Sequence, residues 1–230
     1  MMTKEILTNL YEADFLKITY FDKQSEDLII SFSSTPRLLQ GEEVAIEQFI
    51  GTLSRNEISG IFVIDKTSSY GNRISLAKIA SLISPITKNA LRVHSIGYCM
   101  GGFLAIAISK FMYLNSVVAV TPQWSIHPDI LPSDSYLNVF TNKVDEWLIK
   151  DLSGHFLEDT RYYILNSDDP DDQHQIKYFP KQSNVEIFEF GPAFGHDLPE
   201  QLDGELERLM LLCINNKGQL VKEFIDSYYE

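Results

Sequence analysis

Cysteine, basic residues and long apolar runs are all scarce in this 230-residue chain. Its two cysteines, Cys99 and Cys213, are too few for a disulfide framework or a four-cysteine zinc site. Nineteen lysines and arginines stand against 32 aspartates and glutamates, and the net charge of −13 repels nucleic acid phosphates and anionic lipids. No apolar run approaches the length of a membrane span, about 20 residues, and residues 1–15 lack the apolar core of a signal peptide. We therefore expect a cytoplasmic protein with reduced cysteines, no membrane span and no nucleic acid partner.

Signals for metals and cofactors are missing as well. The chain has no His-Glu-x-x-His or Cys-x-x-Cys motif, and the acidic residues of 168–172 lack the twelve-residue spacing of a calcium-binding loop. Neither Gly-x-Gly-x-x-Gly nor a P-loop follows the first predicted strands, which argues against a flavodoxin-like or nucleotide-binding protein. We expect no metal and no cofactor.

Short β-branched runs alternate along the chain with longer stretches of helical periodicity. The apolar runs predict strands, and apolar spacing near 3.6 residues predicts helices. Strands separated by helices of 10–15 residues indicate crossover connections and a mainly parallel sheet covered on both faces. The predicted strands are 15–21, 27–33, 60–65, 91–97, 116–121, 161–166 and 185–190, and the predicted helices are 41–54, 73–87, 100–114 and 202–215.

Residues 122–160 interrupt this alternation. They contain three of the nine prolines, both tryptophans and a short helical pattern near 144–150. A segment of this length is typical of a lid or binding loop, so we expect a small cap within a single domain that spans 1–230. Its aromatic side chains either roof an apolar acyl site or pack the cap against the body; they include Trp124, Tyr136, Phe140, Trp147 and Phe156.

The segment Gly97-Tyr98-Cys99-Met100-Gly101-Gly102 lies between a predicted strand and a predicted helix. It fits Gly-x-nucleophile-x-Gly, in which the nucleophile occupies a strained turn from strand to helix and glycines two residues away prevent clashes. Cys99 would stand at a helix N-terminus, whose dipole favours the thiolate, and the Met100 amide would point at a substrate oxyanion. We expect Cys99 to be partly exposed at the base of a cleft under the cap. The alternative is that Cys99 is simply a small buried apolar residue.

This segment resembles the nucleophile elbow of the α/β-hydrolase superfamily. Gly-Tyr-Cys-x-Gly-Gly resembles in particular dienelactone hydrolases and polyhydroxyalkanoate synthases, which have cysteine there, although the chain is much too short for a synthase. The resemblance in element order covers roughly residues 25–215. It implies an α/β-hydrolase-type three-layer fold with a mainly parallel sheet, shortened at the N-terminus because few residues precede the strand at 27–33.

The superfamily order of nucleophile, acid and histidine implies where the acid lies. It follows the next-to-last strand, where Asn166-Ser167-Asp168-Asp169-Pro170 is similar to the family's Gly-x-x-Asp-Pro pattern and selects Asp169. Asn166 replaces the usual glycine, so Asp168 and Asp172 stay as reserve acids. The alternative interpretation of these residues is a solvated acidic turn or a helix N-terminus stabilised by negative charge.

His196 is the only histidine after the last predicted strand, where the resemblance places the base. The second oxyanion donor is expected from the loop that contains Ser33 and Ser34, which lacks the His-Gly-Gly-Gly pattern of many esterases. The resemblance then implies an acyl hydrolase of the esterase, thioesterase or lactonase type, or an acyltransferase, acting on a small acyl substrate. Cys99, His196 and Asp169 would act through a covalent thioester.

A second hypothesis is a catalytically silent protein of the same fold that serves as an accessory or interaction protein. Some small hydrolase-like proteins of bacterial surface-glycan pathways are similar in size and element order. Fold alone does not establish activity. Alkylation of Cys99, measured against the predicted core residue Cys213, separates the two hypotheses.

Overall fold

The structure is a computed structural model that describes residues 7–39, 42–44, 46–202 and 204–228, and for 37–39 and 42–44 the backbone only. Its strands are Thr8–Glu12 (β1), Leu16–Phe21 (β2), Asp27–Phe32 (β3), Arg37–Leu39 (β4), Glu42–Val44 (β5), Ser59–Asp65 (β6), Arg92–Tyr98 (β7), Ser116–Val120 (β8), Arg161–Asn166 (β9) and Val185–Glu189 (β10). Eight of them form one sheet in the order β1-β2-β6-β3-β7-β8-β9-β10. The antiparallel pair β4–β5 is separate.

Most neighbours in the large sheet are parallel. The pairs β6–β3, β3–β7, β7–β8, β8–β9 and β9–β10 are parallel, whereas β1–β2 and β2–β6 are antiparallel. Every residue of β6 and β8 is buried, as expected of parallel strands with helices on both faces. The mainly parallel sheet that the alternating pattern predicts is therefore confirmed.

Helices cover both faces of the sheet. They are Ile50–Arg55 (α1), Leu76–Thr87 (α2), Met100–Ala107 (α3), Asn138–Thr141 (α4), Pro170–Ile176 (α5), Leu198–Gln201 (α6), Glu205–Ile214 (α7) and Gly218–Asp226 (α8), with a 3₁₀ turn at Ile108–Lys110. The buried side chains of α2 and α3 join one core cluster, and those of α1, α7 and α8 join a second cluster. None of these helices, in the part of the chain that the structure describes, is long and apolar enough to cross a bilayer.

One predicted helix is correct only in part, and another is wrong. In the range 41–54, strand β5 takes the first described residues and helix α1 begins only at Ile50, because β5 pairs antiparallel with β4 and local apolar spacing does not report such pairing. Residues 41 and 45 of that range lie outside the described residues. Near 144–150 the chain makes bends, and the amide of Ile149 donates to Asn72 Oδ1 (2.8 Å) instead of a helical carbonyl.

The carboxyl ends of the parallel strands bring several loops to one edge of the sheet. The turn after β7 carries Cys99, and on either side lie the loops after β3 and β8. The loops after β9 and β10 follow, and a backbone bond from the Asp168 amide to the Phe194 carbonyl (3.1 Å) joins them. These loops bring side chains from distant parts of the sequence to one edge of the sheet.

Candidate active site

Cys99 occupies the turn between β7 and α3 in a strained backbone conformation, with φ 55° and ψ −121°. The turn also requires glycines. A Cβ on Gly97 would overlap with the backbone of Gly101, and a Cβ on Gly101 would overlap with the carbonyl oxygen of Phe32 in β3. The sheet, the turn and the helix therefore approach each other closely enough to fix the position of Cys99.

Cys99 is the N-cap residue of α3, and Met100 is its first helical residue. The Met100 amide is therefore one of the N-terminal amides that have no intrahelical acceptor. The Cys99 side chain is only 4% exposed, so the expectation of a partly exposed cysteine is wrong. The buried Tyr70 lies against it, with the phenol oxygen 3.7 Å from Sγ.

His196 follows β10, and its imidazole contacts an acid. Its Nδ1 lies 2.9 and 3.0 Å from the two carboxylate oxygens of Asp172. Burial lowers the pKa of His196, but hydrogen bonds to Asp172 and Cys99 and their negative charges outweigh burial and raise the pKa to about 11. The imidazole is therefore positively charged at neutral pH, with the Asp172 carboxylate against Nδ1.

The histidine is held from several directions. Its ring lies between Tyr98, at a centroid distance of 5.5 Å, and Tyr136, at 5.6 Å. The Tyr98 hydroxyl donates to Asp197 Oδ1 (3.0 Å) and to the His196 carbonyl (3.3 Å), and the Thr121 hydroxyl also reaches that carbonyl at 3.5 Å. These contacts restrict both the backbone and the ring of His196.

The acid that contacts His196 is the reserve candidate Asp172 rather than Asp169. Asp169 is the N-cap of α5, and its carboxylate accepts the amide of Asp171 at 2.9 Å, which turns it back onto its own helix. Asp172 lies in the first turn of α5 and is 1% exposed, and Ser167 Oγ donates to its Oδ2 at 2.5 Å. Asp168 is exposed. The pairing of His196 with Asp169 is therefore corrected to Asp172.

The two serines expected to supply an oxyanion donor have other partners. The Ser33 amide donates to the Val63 carbonyl at 3.0 Å and extends the β3–β6 ladder. The Ser34 amide donates to Gln48 Oε1 at 2.9 Å. Neither amide is free for a substrate in this structure. The buried Ser33 hydroxyl has no hydrogen-bond partner among the described residues.

Sequence reasoning missed Tyr70 and Gln123. Both side chains are fully buried, and the Tyr70 hydroxyl donates to Gln123 Oε1 at 3.0 Å. Gln123 Nε2 donates in turn to the Thr121 carbonyl at 3.1 Å. No motif marks either residue. The signal that was available is position, because both follow strands whose carboxyl ends meet at the Cys99 edge of the sheet.

The segment between β8 and β9 reaches the same edge. Tyr136 covers the histidine, and the Phe140 ring lies 6.0 Å from the Tyr70 ring. Trp124 instead stacks on Phe156 at 6.2 Å and packs against the body. The aromatic side chains thus divide between the two roles that the sequence left open. Within the described ranges, no three histidine, cysteine or acidic side chains are grouped so that they could hold a metal ion.

No protein-family model and no curated protein matches the chain. Among solved structures, a capsule O-acetyltransferase variant of Neisseria meningitidis serogroup A in complex with CoA matches with a TM-score of 0.65 and 13% identity, over 93% of this chain and 97% of that chain. An esterase from Pyrococcus furiosus matches with a TM-score of 0.61 and 14% identity, over 96% of this chain and 91% of the esterase chain. An α/β superfamily hydrolase from Oenococcus oeni matches with a TM-score of 0.60 and 14% identity, over 94% of this chain and 100% of the hydrolase chain. The chain has the α/β-hydrolase fold.

Proposed function

We propose that this protein catalyses acyl transfer, as an acyl hydrolase or an acyltransferase, through Cys99, His196 and Asp172. The observation that carries the proposal is the placement of His196, which bonds to the buried Asp172 carboxylate through Nδ1 and whose pKa Asp172 and Cys99 raise. A nucleophile, a base and an orienting acid in contact are the recurring machinery of covalent acyl transfer.

The first half-reaction forms a thioester on Cys99. The thiolate attacks the carbonyl carbon of an ester or thioester, a C–S bond forms, and the carbonyl electron pair moves to oxygen. The Met100 amide donates to that oxyanion. When the oxyanion collapses, the bond to the leaving oxygen or sulfur breaks, and His196 protonates the leaving group.

The second half-reaction regenerates the thiolate. His196, now neutral, takes the proton of a water or an alcohol as that molecule attacks the acyl carbon. Collapse of the second oxyanion breaks the C–S bond and releases an acid from water or a new ester from an alcohol. Asp172 holds the imidazole in one orientation and stabilises its positive form throughout. Atoms and charge balance without a cofactor.

Two further observations support a small acyl group as the group that is transferred. The structural neighbours include an O-acetyltransferase in complex with CoA and an esterase, whose names refer to acetyl transfer and to an ester. The cysteine in Gly-Tyr-Cys-x-Gly-Gly resembles the dienelactone hydrolase nucleophile. Both support acyl donors of the ester or thioester class.

A catalytically silent protein is the second candidate. The burial of Cys99, at 4% exposure, favours it, as does the Gln48 side chain on the Ser34 amide. In this structure the site is closed over its cysteine. A silent protein would keep the fold and the buried polar network without turning over an acyl donor.

Acylation of the protein distinguishes the two candidates. The wild type is incubated with p-nitrophenyl acetate or acetyl-CoA, and the site of acetylation is found by mass spectrometry of the intact protein and of its peptides. We expect one acetyl group on Cys99, none in Cys99→Ala, and none on Cys213, since burial raises the pKa of Cys213. No acetyl group at Cys99, together with iodoacetamide alkylation no faster than a model thiol, would reject the proposal in favour of the silent protein.

A further inference from the structure

The Tyr70–Gln123 pair is a buried polar feature that the mechanism above does not use. The Tyr70 oxygen lies between two partners, Cys99 Sγ at 3.7 Å and Gln123 Oε1 at 3.0 Å. Gln123 Nε2 donates to the Thr121 carbonyl, which orients the amide so that its oxygen faces the phenol. The Tyr70 hydroxyl therefore donates its hydrogen bond to Gln123, while the phenol oxygen lies next to the Cys99 sulfur.

Tyr70 is a neutral donor throughout. Its side chain is fully buried, and burial, followed by the negative charge of Cys99, raises its pKa well above the ordinary value. A phenol that does not ionise keeps its proton available for an anion nearby. The rings of Phe103 and Phe140, at 5.5 and 6.0 Å, hold it in place.

The loop that carries Tyr70 is built to hold a strained position. Tyr70 has φ 51° and Ser68 has φ 53°, both in the left-handed region that side chains other than glycine rarely adopt. The buried Asp65 carboxylate secures the loop: it accepts the amide and hydroxyl of Thr67 (2.9 and 2.6 Å) and the amide and hydroxyl of Ser69 (3.1 and 2.9 Å). Backbone strain of this kind persists where surrounding contacts over-determine it, and it concentrates at functional sites.

An oxyanion in this site needs a donor besides Met100, and the amides of Ser33 and Ser34 in the loop after β3 are not free to supply it. The Ser33 amide is bonded to Val63, and the Ser34 amide to Gln48. The Ser33 hydroxyl is buried without a hydrogen-bond partner among the described residues, and the Tyr70 hydroxyl is the one that lies against the nucleophile, 3.7 Å from its sulfur.

We infer that Tyr70 is the second oxyanion donor of the site, together with the Met100 amide, and that Gln123 accepts the hydrogen bond of the phenol until the oxyanion forms. The inference rests on the proposed function, in which Cys99 is the nucleophile. Before attack, the phenol donates to the Gln123 amide oxygen at 3.0 Å rather than to the Cys99 sulfur, which is more distant at 3.7 Å and a weaker acceptor than oxygen. As negative charge develops on the substrate oxygen, the proton turns to the anion, because a hydrogen bond to an ionised acceptor is about twice as strong as a neutral one. The interaction is therefore stronger in the transition state than before it, which accelerates the chemical step.

The test compares two reactions of the same sulfur. Acetylation of Cys99 by p-nitrophenyl acetate passes through an oxyanion, whereas alkylation by iodoacetamide at a saturated carbon does not. Tyr70→Phe keeps the ring and removes the donor. We expect it to slow acetylation by about 10²- to 10³-fold, through the rate constant at saturating ester rather than the half-saturation concentration, while alkylation of Cys99 changes by less than about threefold.

Tyr163→Phe is the matched control, since it also removes one buried phenol, whose hydroxyl donates to Asn216 at 3.2 Å. It should leave acetylation unchanged. Equal losses in acetylation and alkylation in Tyr70→Phe would mean that Tyr70 only positions the cysteine, and the inference would be rejected. Unchanged acetylation in Tyr70→Phe would reject it too, and faster acetylation in Gln48→Ala would then point to the freed Ser34 amide. A wild type that is neither acetylated nor alkylated at Cys99 would reject the proposed function itself, and the Tyr70 role with it.

Discussion

Asp172 lies against His196, with Oδ1 2.9 Å from Nδ1, although Asp169 is only three residues away. The difference arises at the start of α5. An N-cap carboxylate bonds to amides of its own helix, as that of Asp169 does. A residue in the first turn points sideways from the helix axis, and at Asp172 that direction leads into the protein. Asp169 therefore caps the N-terminus of α5, whereas Asp172 in its first turn orients His196.

Asp172→Asn should abolish most of the acyl-transfer activity, while Asp169→Asn should keep it. Asparagine at 172 no longer stabilises the imidazolium, and we expect a loss of roughly 10²- to 10⁴-fold in the acetylation rate of Cys99. Asparagine at 169 is an equally good N-cap, so the fold and the rate should both be close to wild type. Mass spectrometry of Cys99 acetylation measures both variants. The opposite ranking would restore Asp169 as the acid.

The two histidines with the most strongly shifted pKa values, His196 and His94, should depart from the ordinary pKa in opposite directions. His196, with a pKa of about 11, should stay protonated at pH 7, because its bonds to Asp172 and Cys99 outweigh burial. His94, whose pKa burial lowers to about 4 in spite of Asp27, should stay neutral there. Proton–nitrogen NMR of the imidazole rings, assigned with His196→Gln and His94→Gln, distinguishes the charged ring from the neutral one. A His196 that titrates near 6.5 would contradict the ion pair.

The raised pKa of His196 also makes the stability depend on pH. The contribution of the charged imidazole is complete below the ordinary pKa of 6.5 and is lost as the pH rises toward 11. The difference in free energy of unfolding between the wild type and His196→Gln should therefore be largest near pH 6 and should shrink by pH 10. Urea unfolding at several pH values measures it. A difference that grows with pH would mean that the wild-type histidine is neutral.

The features that the sequence predicts well are local ones. Apolar runs such as Arg161–Asn166 identify buried strands because both of their faces are covered. The spacing of Gly97, Cys99 and Gly101 identifies the turn because a Cβ at either glycine would overlap with backbone atoms. The position of His196 follows from the order of elements. Each of these inferences needs only a short window of sequence or the order of the strands.

The errors concern contacts that local apolar spacing does not report. Strand β5 forms by antiparallel pairing with β4, which helical periodicity in 41–54 conceals. The choice between Asp169 and Asp172 depends on which carboxylate faces another loop. Tyr70 lies 29 residues before Cys99 in a loop without a motif, and only the parallel sheet brings them together. Such contacts follow from tertiary structure rather than from local pattern.

The glycines of the turn should differ in their tolerance of alanine. A Cβ at position 97 or 101 would overlap with backbone atoms, which cannot rotate away, so Gly97→Ala and Gly101→Ala should each lose about 3 kcal/mol or more of unfolding free energy. Gly102→Ala, with a 3.1 Å approach to the Pro122 side chain, should lose less. Gly195→Ala, whose nearest contact is 3.8 Å, is the control. Urea unfolding should rank them in this order, and equal stabilities would mean that the turn is looser than described.

Cys99→Ser should lose activity in a way that depends on pH. In the proposed mechanism the wild type begins from a Cys99 thiolate beside a charged imidazole, so it needs no proton transfer before attack. Serine stays protonated and requires a neutral His196 as a base, and Asp172 favours the charged form of that histidine. We therefore expect acetylation of the serine variant to be at least about tenfold slower than that of the wild type at pH 7 and to rise with pH as the imidazole loses its proton, whereas the wild-type rate changes little. Initial rates with p-nitrophenyl acetate from pH 6 to 9, with Cys99→Ala as the background, measure both profiles. A serine variant that matches the wild type at every pH would show that His196 is already neutral and acts as an ordinary general base.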